Sequence, residues 1–476
     1  MWISDAEKLH EECAVFGISI NKELAANYTC NALLAMQHRG QEGAGIAVLD
    51  GYSIICRKNE GLVNDVFSEA AMSEMPPARI GIGHTRYSTS GNNNINNVQP
   101  FVIEFLTGRI ATAHNGNIIN AAEIRNNLGQ QGINFSASSD SEVISSLIAY
   151  HIVQNKDVEK GVIDAVKQLA GAFSLVIMSS EGKLIAVRDP QGFRPLCIGY
   201  NDLGYAVASE SCALDSCGFT MLRDLEPGEM VVIENGAITR SGVELHSERK
   251  GFCIFEYIYF ARPDSVIDGL SVFKARYNMG AQLAKEYPVD ADMVCGVPDS
   301  GLEAAMGYAA ESGIPLATGF VKNRYIGRSF IYPSQWQREN AVGLKLSPLK
   351  ASVEGKRIVL IDDSIVRGTT SAKIVASLRR VGVKEIHMRI SAPPFRHACY
   401  FGVDIDREEE LIANKISLEE LREKIEVDSL GFISEEGLKL SCKESQRSFC
   451  MGCFNGEYGM DVNRSSGNKF ELQYLK

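Results

Sequence analysis

The sequence predicts a protein in two unlike halves, a strand-rich α+β region followed by an α/β region built on a parallel sheet. From about Cys13 to Val243, short apolar stretches alternate with Gly, Asn and Ser turns, as at residues 13–18, 45–48, 175–178 and 184–187. From about Phe273 the pattern becomes strand then helix. Residues 293–297 precede a helix near 303–312, residues 358–361 precede one near 371–381, and another strand follows at 386–390. The polar, charged stretch 244–251 marks the junction, giving regions 13–245 and 252–476 behind a leader of residues 1–12. Residues 407–432, rich in Glu, Leu and Lys, are expected to form a helical tail.

The 476 residues allow two to four domains, each large enough to bury a core. A charged fraction of 22% beside 45% hydrophobic residues excludes a disordered chain, and the net charge of -11 disfavours a nonspecific nucleic-acid binder. No run of about 18 apolar residues is present, so no membrane-spanning helix is expected. Residues 1–12 carry acids where a signal peptide needs an apolar centre. A cytoplasmic location follows, and the twelve cysteines read better as thiols or metal ligands than as disulfides.

In the first half, Cys13 opens an alternating strand just behind the acidic leader. A lone cysteine there is usually a small buried hydrophobe. Its company argues otherwise: Gln37-His38-Arg39-Gly40, Gly83-His84-Thr85-Arg86, Gln99-Pro100-Phe101, His114-Asn115-Gly116-Asn117 and Ser139-Asp140-Ser141-Glu142. In this order the set resembles the class II glutamine amidotransferase domain, a member of the N-terminal nucleophile hydrolases. The resemblance implies that the leader is removed so that Cys13 becomes the first residue. A free α-amino group titrates near 7.7–8.0, so it can act as general base for its own thiol. Cys13 would then attack the side-chain amide of glutamine and release ammonia. Asn115 and the backbone N–H of Gly116 match the family's oxyanion hole, Arg86 its grip on the substrate α-carboxylate, and Asp140 its contact with the α-amino group. His38, His84 and His114 are expected to be structural.

In the second half, the strand Ile358-Val359-Leu360-Ile361 stops on Asp362 and Asp363 and runs into Ser364-Ile365-Val366-Arg367-Gly368-Thr369-Thr370. Ligands of parallel sheets sit at the carboxyl ends of strands, so the two carboxylates suit a ribose diol and the segment from Val366 to Thr370 suits a phosphate at a helix start. Gly368 lets the backbone come close. The run resembles the phosphoribosyltransferase fingerprint, whose members use 5-phosphoribosyl 1-pyrophosphate. Upstream, Val297-Pro298-Asp299-Ser300-Gly301 is a second strand-to-loop segment whose amides suit a pyrophosphate, with Ser300 beside a bridging Mg²⁺ that Asp362 and Asp363 would share. The cation-rich stretch from Lys322 through Arg324, Arg328 and Arg338 to Lys345 suits a lid over a multiply charged phosphate, although Tyr332, Trp336 and Gln337 depart from the expected lid.

The two regions in this order are similar to the glutamine phosphoribosylpyrophosphate amidotransferase family. Membership implies glutamine-dependent conversion of phosphoribosylpyrophosphate to 5-phosphoribosylamine, glutamate and pyrophosphate, the first committed step of de novo purine (IMP) synthesis. It also implies purine nucleotides as feedback inhibitors and a homotetramer. The rival readings are an amidotransferase with another acceptor, which would lack the Asp362–Asp363 fingerprint, and a noncatalytic regulator, which would need no Cys13, Arg86 and Asp140 set.

Cys450-Met-Gly-Cys453 taken alone fits half of a zinc site as readily as part of an iron–sulfur site. With Cys253 and Cys399 it matches the ligand set of the family's [4Fe–4S] form, and Cys442 and His397 are rival ligands. The cluster would staple the carboxyl tail to residue 253 and sense oxygen or iron.

Overall fold

Every residue of the strand Ala14–Ile20 is buried because its two faces enter different cores. Val15 joins Ala47, Ile82, Ala113, Val176 and Val231 between two sheets, whereas Ala14, Phe16 and Ile18 pack beneath the helix Ala25–Ala35. The computed structural model describes residues 13–87, 94–323, 346–403, 405, 407–445 and 447–462.

The first sheet runs in the spatial order Thr220–Asp224, Cys197–Asn201, Gly204–Ala208, Ala14–Ile20, Ile80–Arg86, Gly43–Asp50, Ser53–Glu60, and the second in the order Ala237–Val243, Glu229–Glu234, Lys183–Arg188, Gly171–Ser179, Gly108–Ile118, Phe101–Phe105. All pairings in both are antiparallel. The helices Ala121–Gln130, Asp140–Asn155 and Val158–Val166 cover the outer face of the second sheet through Ile124, Val143, Leu147 and Val162. The result is a four-layer sandwich of helix, sheet, sheet and helix.

The second half carries a parallel sheet in the order Met293–Gly296, Arg357–Asp362, Glu385–Ile390, Ser429–Phe432. Along its central strand, Val359 and Ile361 face the helices Val272–Glu286 and Leu302–Ser312, while Ile358 and Leu360 face the helix Thr369–Arg380 through Ile374 and Leu378. The segment 407–432 is not the expected helical tail. It holds the short helices Ile412–Lys415 and Leu418–Lys424, then the strand Ser429–Phe432, which completes the sheet. The Glu- and Lys-rich composition describes the exposed helix faces. Four residues of strand leave too little alternation to be read, and pairing with residues 387–390 fixes them instead.

The two halves share a core in which Phe193 stacks on Phe401, with ring centroids 4.2 Å apart. Asn117, at the end of the strand Gly108–Ile118, donates through its side-chain amide to the carbonyl of Tyr400 at 2.8 Å. Among the described residues, no helix is long and apolar enough to cross a membrane.

Candidate functional site

Cys13 precedes the first strand, and its neighbour in the sheet delivers Arg86 and Tyr87 beside it. The thiol is buried and lies 3.4 Å from the backbone N of Tyr87 and 3.3 Å from its carbonyl oxygen. The adjacent pocket is lined by Cys13, Arg86, Tyr87, Gln99, His114, Gly116, Ser139, Asp140 and Ser141. Four of the residues expected from sequence therefore share one cavity. Arg86 and Asp140, each only 3–4% exposed, place a cation and an acid in the wall of the same pocket.

Asp140 is the first residue of its helix, and Ser139 rather than Asp140 caps it, accepting the N–H of Ser141 at 3.1 Å. That leaves the Asp140 carboxylate to accept the N–H of Ile118 at 3.1 Å. Asn115 and Gly116 lie just upstream on that strand, paired with Ser174 and Phe173. Gly116 has φ 142°, and a Cβ there would stand 2.1 Å from the carbonyl oxygen of Ala172, so only glycine fits. Both polar atoms of the Asn115 side chain are buried without a hydrogen-bond partner among the described residues. Buried amides are rarely left so; Asn115 adjoins Gly116 in the strand but is not itself among the residues that line the pocket.

Burial favours the neutral form of His84 and His114. Burial pushes His84 down to about 3, and its Nε2 lies 3.1 Å from the carbonyl oxygen of His114. Burial likewise holds His114 below the usual imidazole range, against the nearby Asp140 carboxylate. His114 lines the pocket all the same, 3.0 Å from the Ser141 hydroxyl.

The second constellation lies at the carboxyl ends of the parallel strands. Asp362 and Asp363 are buried where the central strand ends, with Asp362 accepting the N–H of Asp363 at 3.0 Å. The neighbouring loop docks against them, and the Ser300 hydroxyl donates to Asp363. Gly301 permits that approach, since a Cβ would meet the Ile361 carbonyl oxygen at 2.4 Å. Asp299 pairs with Lys322, the first cation of the expected lid. Lys345 and the remaining lid residues, Arg324 to Arg338 among them, lie outside the described residues. Past Asp363, the Ser364 hydroxyl donates to its carboxylate at 2.5 Å, and Val366, Arg367 and Gly368 lead into the helix opened by Thr369 and Thr370. Gly368 has φ 80°, the left-handed turn that aims the first amides of this helix at the loop. Arg367 pairs with Glu410, a contact that its sequence position did not foretell.

The cysteines expected as ligands gather at the junction of the halves. Cys253 and Cys450 are opposite each other in a short parallel pair of strands. The Cys453 carbonyl accepts the N–H groups of Arg396 and His397 at 3.0 and 3.1 Å, tying it to the loop that carries Cys399. Burial, and then proximity to Cys399, Cys253 and Cys450, raises the Cys453 thiol well above its usual range. Cys442 stands apart, pushed up to about 12 by burial alone, and His397 instead lies 3.3 Å from Glu408. Among the described residues no three His, Cys, Asp or Glu side chains converge on a single ion position.

Residues 84–216 match the family model for the glutamine amidotransferase domain, and residues 272–405 match that for the phosphoribosyl transferase domain. The chain is 48% identical to the amidophosphoribosyltransferase of Synechocystis sp., over 96% of this chain and 92% of that one. It is 44% identical to the amidophosphoribosyltransferase of Bacillus subtilis, over 97% and 96%. The solved structure of the B. subtilis glutamine phosphoribosylpyrophosphate amidotransferase in complex with ADP and GMP superposes with a TM-score of 0.87 at 43% identity, covering 95% of this chain and 98% of that one.

Proposed function

This chain belongs to the amidophosphoribosyltransferase family, and from that premise we propose how its residues divide the chemistry. The reaction is the glutamine-dependent amidation of phosphoribosylpyrophosphate to 5-phosphoribosylamine, with release of glutamate and pyrophosphate, the first step of purine biosynthesis. That identity sets aside the readings of a noncatalytic regulator and of another acceptor.

Cys13 is the nucleophile. Removal of residues 1–12, which lie outside the described residues, frees its α-amino group to take the thiol proton. The thiolate adds to the glutamine side-chain carbonyl, and the Nδ2 of Asn115, which has no partner among the described residues, receives the resulting oxyanion together with the N–H of Gly116. Collapse, with the α-ammonium group returning its proton to the leaving nitrogen, expels ammonia and leaves a glutamyl thioester that water hydrolyses. Arg86 and Asp140 hold the α-carboxylate and α-amino groups, which the presence of both charges in the lining of one pocket supports. The single observation that carries this reading is the convergence of Cys13, Arg86, Gly116 and Asp140 on that pocket.

In the region proposed as 252–476, Asp362 and Asp363 take the ribose hydroxyls. Ser364, Val366, Arg367, Gly368, Thr369 and Thr370 bind the 5-phosphate, and Asp299 and Ser300 lie at the pyrophosphate. The Ser300–Asp363 contact suits a bridging Mg²⁺ held by Ser300, Asp362 and Asp363, which would neutralise the leaving pyrophosphate. Ammonia formed within the region 13–245 attacks the ribose carbon as pyrophosphate departs. Internal transfer keeps it unprotonated and nucleophilic.

Cys253, Cys399, Cys450 and Cys453 suit a [4Fe–4S] cluster. A four-iron cube spreads its thiolates more widely than one ion does, and the proximity of three thiols to Cys453 supports that donor set. Such a cluster would brace the carboxyl tail. Feedback by purine nucleotides is supported by the similar B. subtilis enzyme, whose structure is a complex with ADP and GMP. A homotetramer and a cytoplasmic location rest on the family resemblance. The test of function is stoichiometric release of glutamate and pyrophosphate from glutamine plus phosphoribosylpyrophosphate; release of either without the other contradicts it.

A further inference from the structure

Arg39 lies in the turn after the helix Ala25–Ala35, fully buried, and its guanidinium reaches in three directions. Its Nε donates to the carbonyl oxygen of Cys13 at 3.2 Å. Its Nη1 donates to Glu210 at 2.7 Å, and Nη1 and Nη2 together form a fork on the two carboxylate oxygens of Glu256, each at 2.9 Å. Glu256 belongs to the second half, where it opens the helical turn Glu256–Phe260. It also accepts from Arg194 at 3.3 Å, and Arg194 in turn donates to the Phe401 carbonyl at 2.7 Å. All four side chains are fully buried, so two guanidinium and two carboxylate groups are linked at the junction of the halves.

The other carboxylate is just as constrained. Glu210 accepts the N–H of Arg262 at 2.9 Å and the hydroxyl of Ser265 at 2.7 Å, and its first oxygen also meets His38 at 2.8 Å. Burial opposes its charge, but His38 and Arg39 outweigh burial and hold it well below the usual carboxylate range. A guanidinium gripped by two such partners has one orientation open to it, and that orientation points Nε at the backbone of the nucleophile.

We propose that Arg39 is a positioning residue for the glutamine reaction, fixing the Cys13 backbone through its carbonyl, and that Glu256 of the second half sets its orientation. Alignment of the thiol on the glutamine amide thus depends on how the two halves are docked. The inference rests on Cys13 being the nucleophile. A second chain of contacts leads onward from the same turn: Arg276 donates to the carbonyls of Tyr257, Tyr259 and Ala261 at 2.7–2.9 Å, and it faces Glu303 just past the Asp299–Ser300 loop. The clamp on Cys13 is therefore contiguous with the elements that carry the acceptor site.

The test uses the full-length protein with Arg39→Lys, which keeps the charge and loses the fork, and Glu256→Gln, which keeps the shape and loses the charge. In both, kcat with glutamine should fall about tenfold to a hundredfold, as expected for a misaligned attack, with KM for glutamine and the ammonia-dependent rate within about threefold. Alkylation of Cys13 by iodoacetamide, which needs no alignment, should keep its wild-type rate. Equal loss of the glutamine and ammonia reactions would overturn the proposal in favour of a plain structural brace, as would insoluble protein in both variants. Unchanged glutamine turnover would show that the Cys13 carbonyl needs no anchor. Should iodoacetamide modify Cys13 of the wild-type protein yet spare glutamine turnover, the nucleophile assignment itself fails.

Discussion

The Asp140 carboxylate accepts the backbone N–H of Ile118 at 3.1 Å, which joins the start of a helix to the strand bearing Asn115 and Gly116. The acid proposed to bind substrate is thus fixed to the strand proposed to stabilise the oxyanion, in the same pocket that Arg86 lines.

Asp140→Asn keeps the shape of this contact and removes the charge that faces an ammonium group. KM for glutamine should rise roughly tenfold to a hundredfold, the equivalent of about 1.5–3 kcal/mol for a charge-assisted hydrogen bond. Steady-state kinetics with ammonia in place of glutamine should change little.

His84 gives the first half a definite pH signature. Its folded-state pKa of about 3 lies below the ordinary histidine value of 6.5, so between those limits the unfolded chain binds more protons than the folded one. The stability that this neutral histidine contributes is complete above pH 6.5 and is lost as pH falls towards about 3. His84→Gln can still meet the His114 carbonyl and no longer titrates. Melting temperatures across that range should therefore fall less steeply with acid in the variant than in the wild type.

Asp362→Asn and Asp363→Asn should each weaken phosphoribosylpyrophosphate binding by roughly 1.5–3 kcal/mol through lost charge-assisted contacts. Isothermal titration with phosphoribosylpyrophosphate measures this, and glutamine KM serves as the control. A comparable loss for glutamine would mean that these carboxylates hold the fold rather than the sugar.

The cysteines separate two kinds of site. Protein purified without oxygen should contain about four irons per chain, and Cys453→Ser should lose iron and melt earlier. Cys442→Ser should retain its iron, because burial alone accounts for the state of that thiol. Iron content and visible absorbance decide both.

What the sequence made legible was local. Asp362, Asp363 and the loop to Thr370 are consecutive, and the strand that ends on them is a continuous apolar run, so fold and candidate site could be read together. The same holds for Asn115 and Gly116. Contacts between distant segments left no local trace: Arg39 and Glu256 are 217 residues apart, and nothing in the composition around either announces the other. Tyr87 escaped as well, since its backbone rather than its side chain meets the thiol. The strand Ser429–Phe432 was hidden because its neighbour in the sheet, not its own four residues, determines it.

Two separate chemistries are proposed for the chain, a thiol in one half that makes ammonia and an acceptor site in the other that consumes it. Cys13→Ala tests that division most directly, with pyrophosphate release measured once with glutamine and once with a high concentration of ammonia. The glutamine reaction should disappear while the ammonia reaction keeps most of its wild-type rate. Equal loss of both in a folded variant would contradict that division.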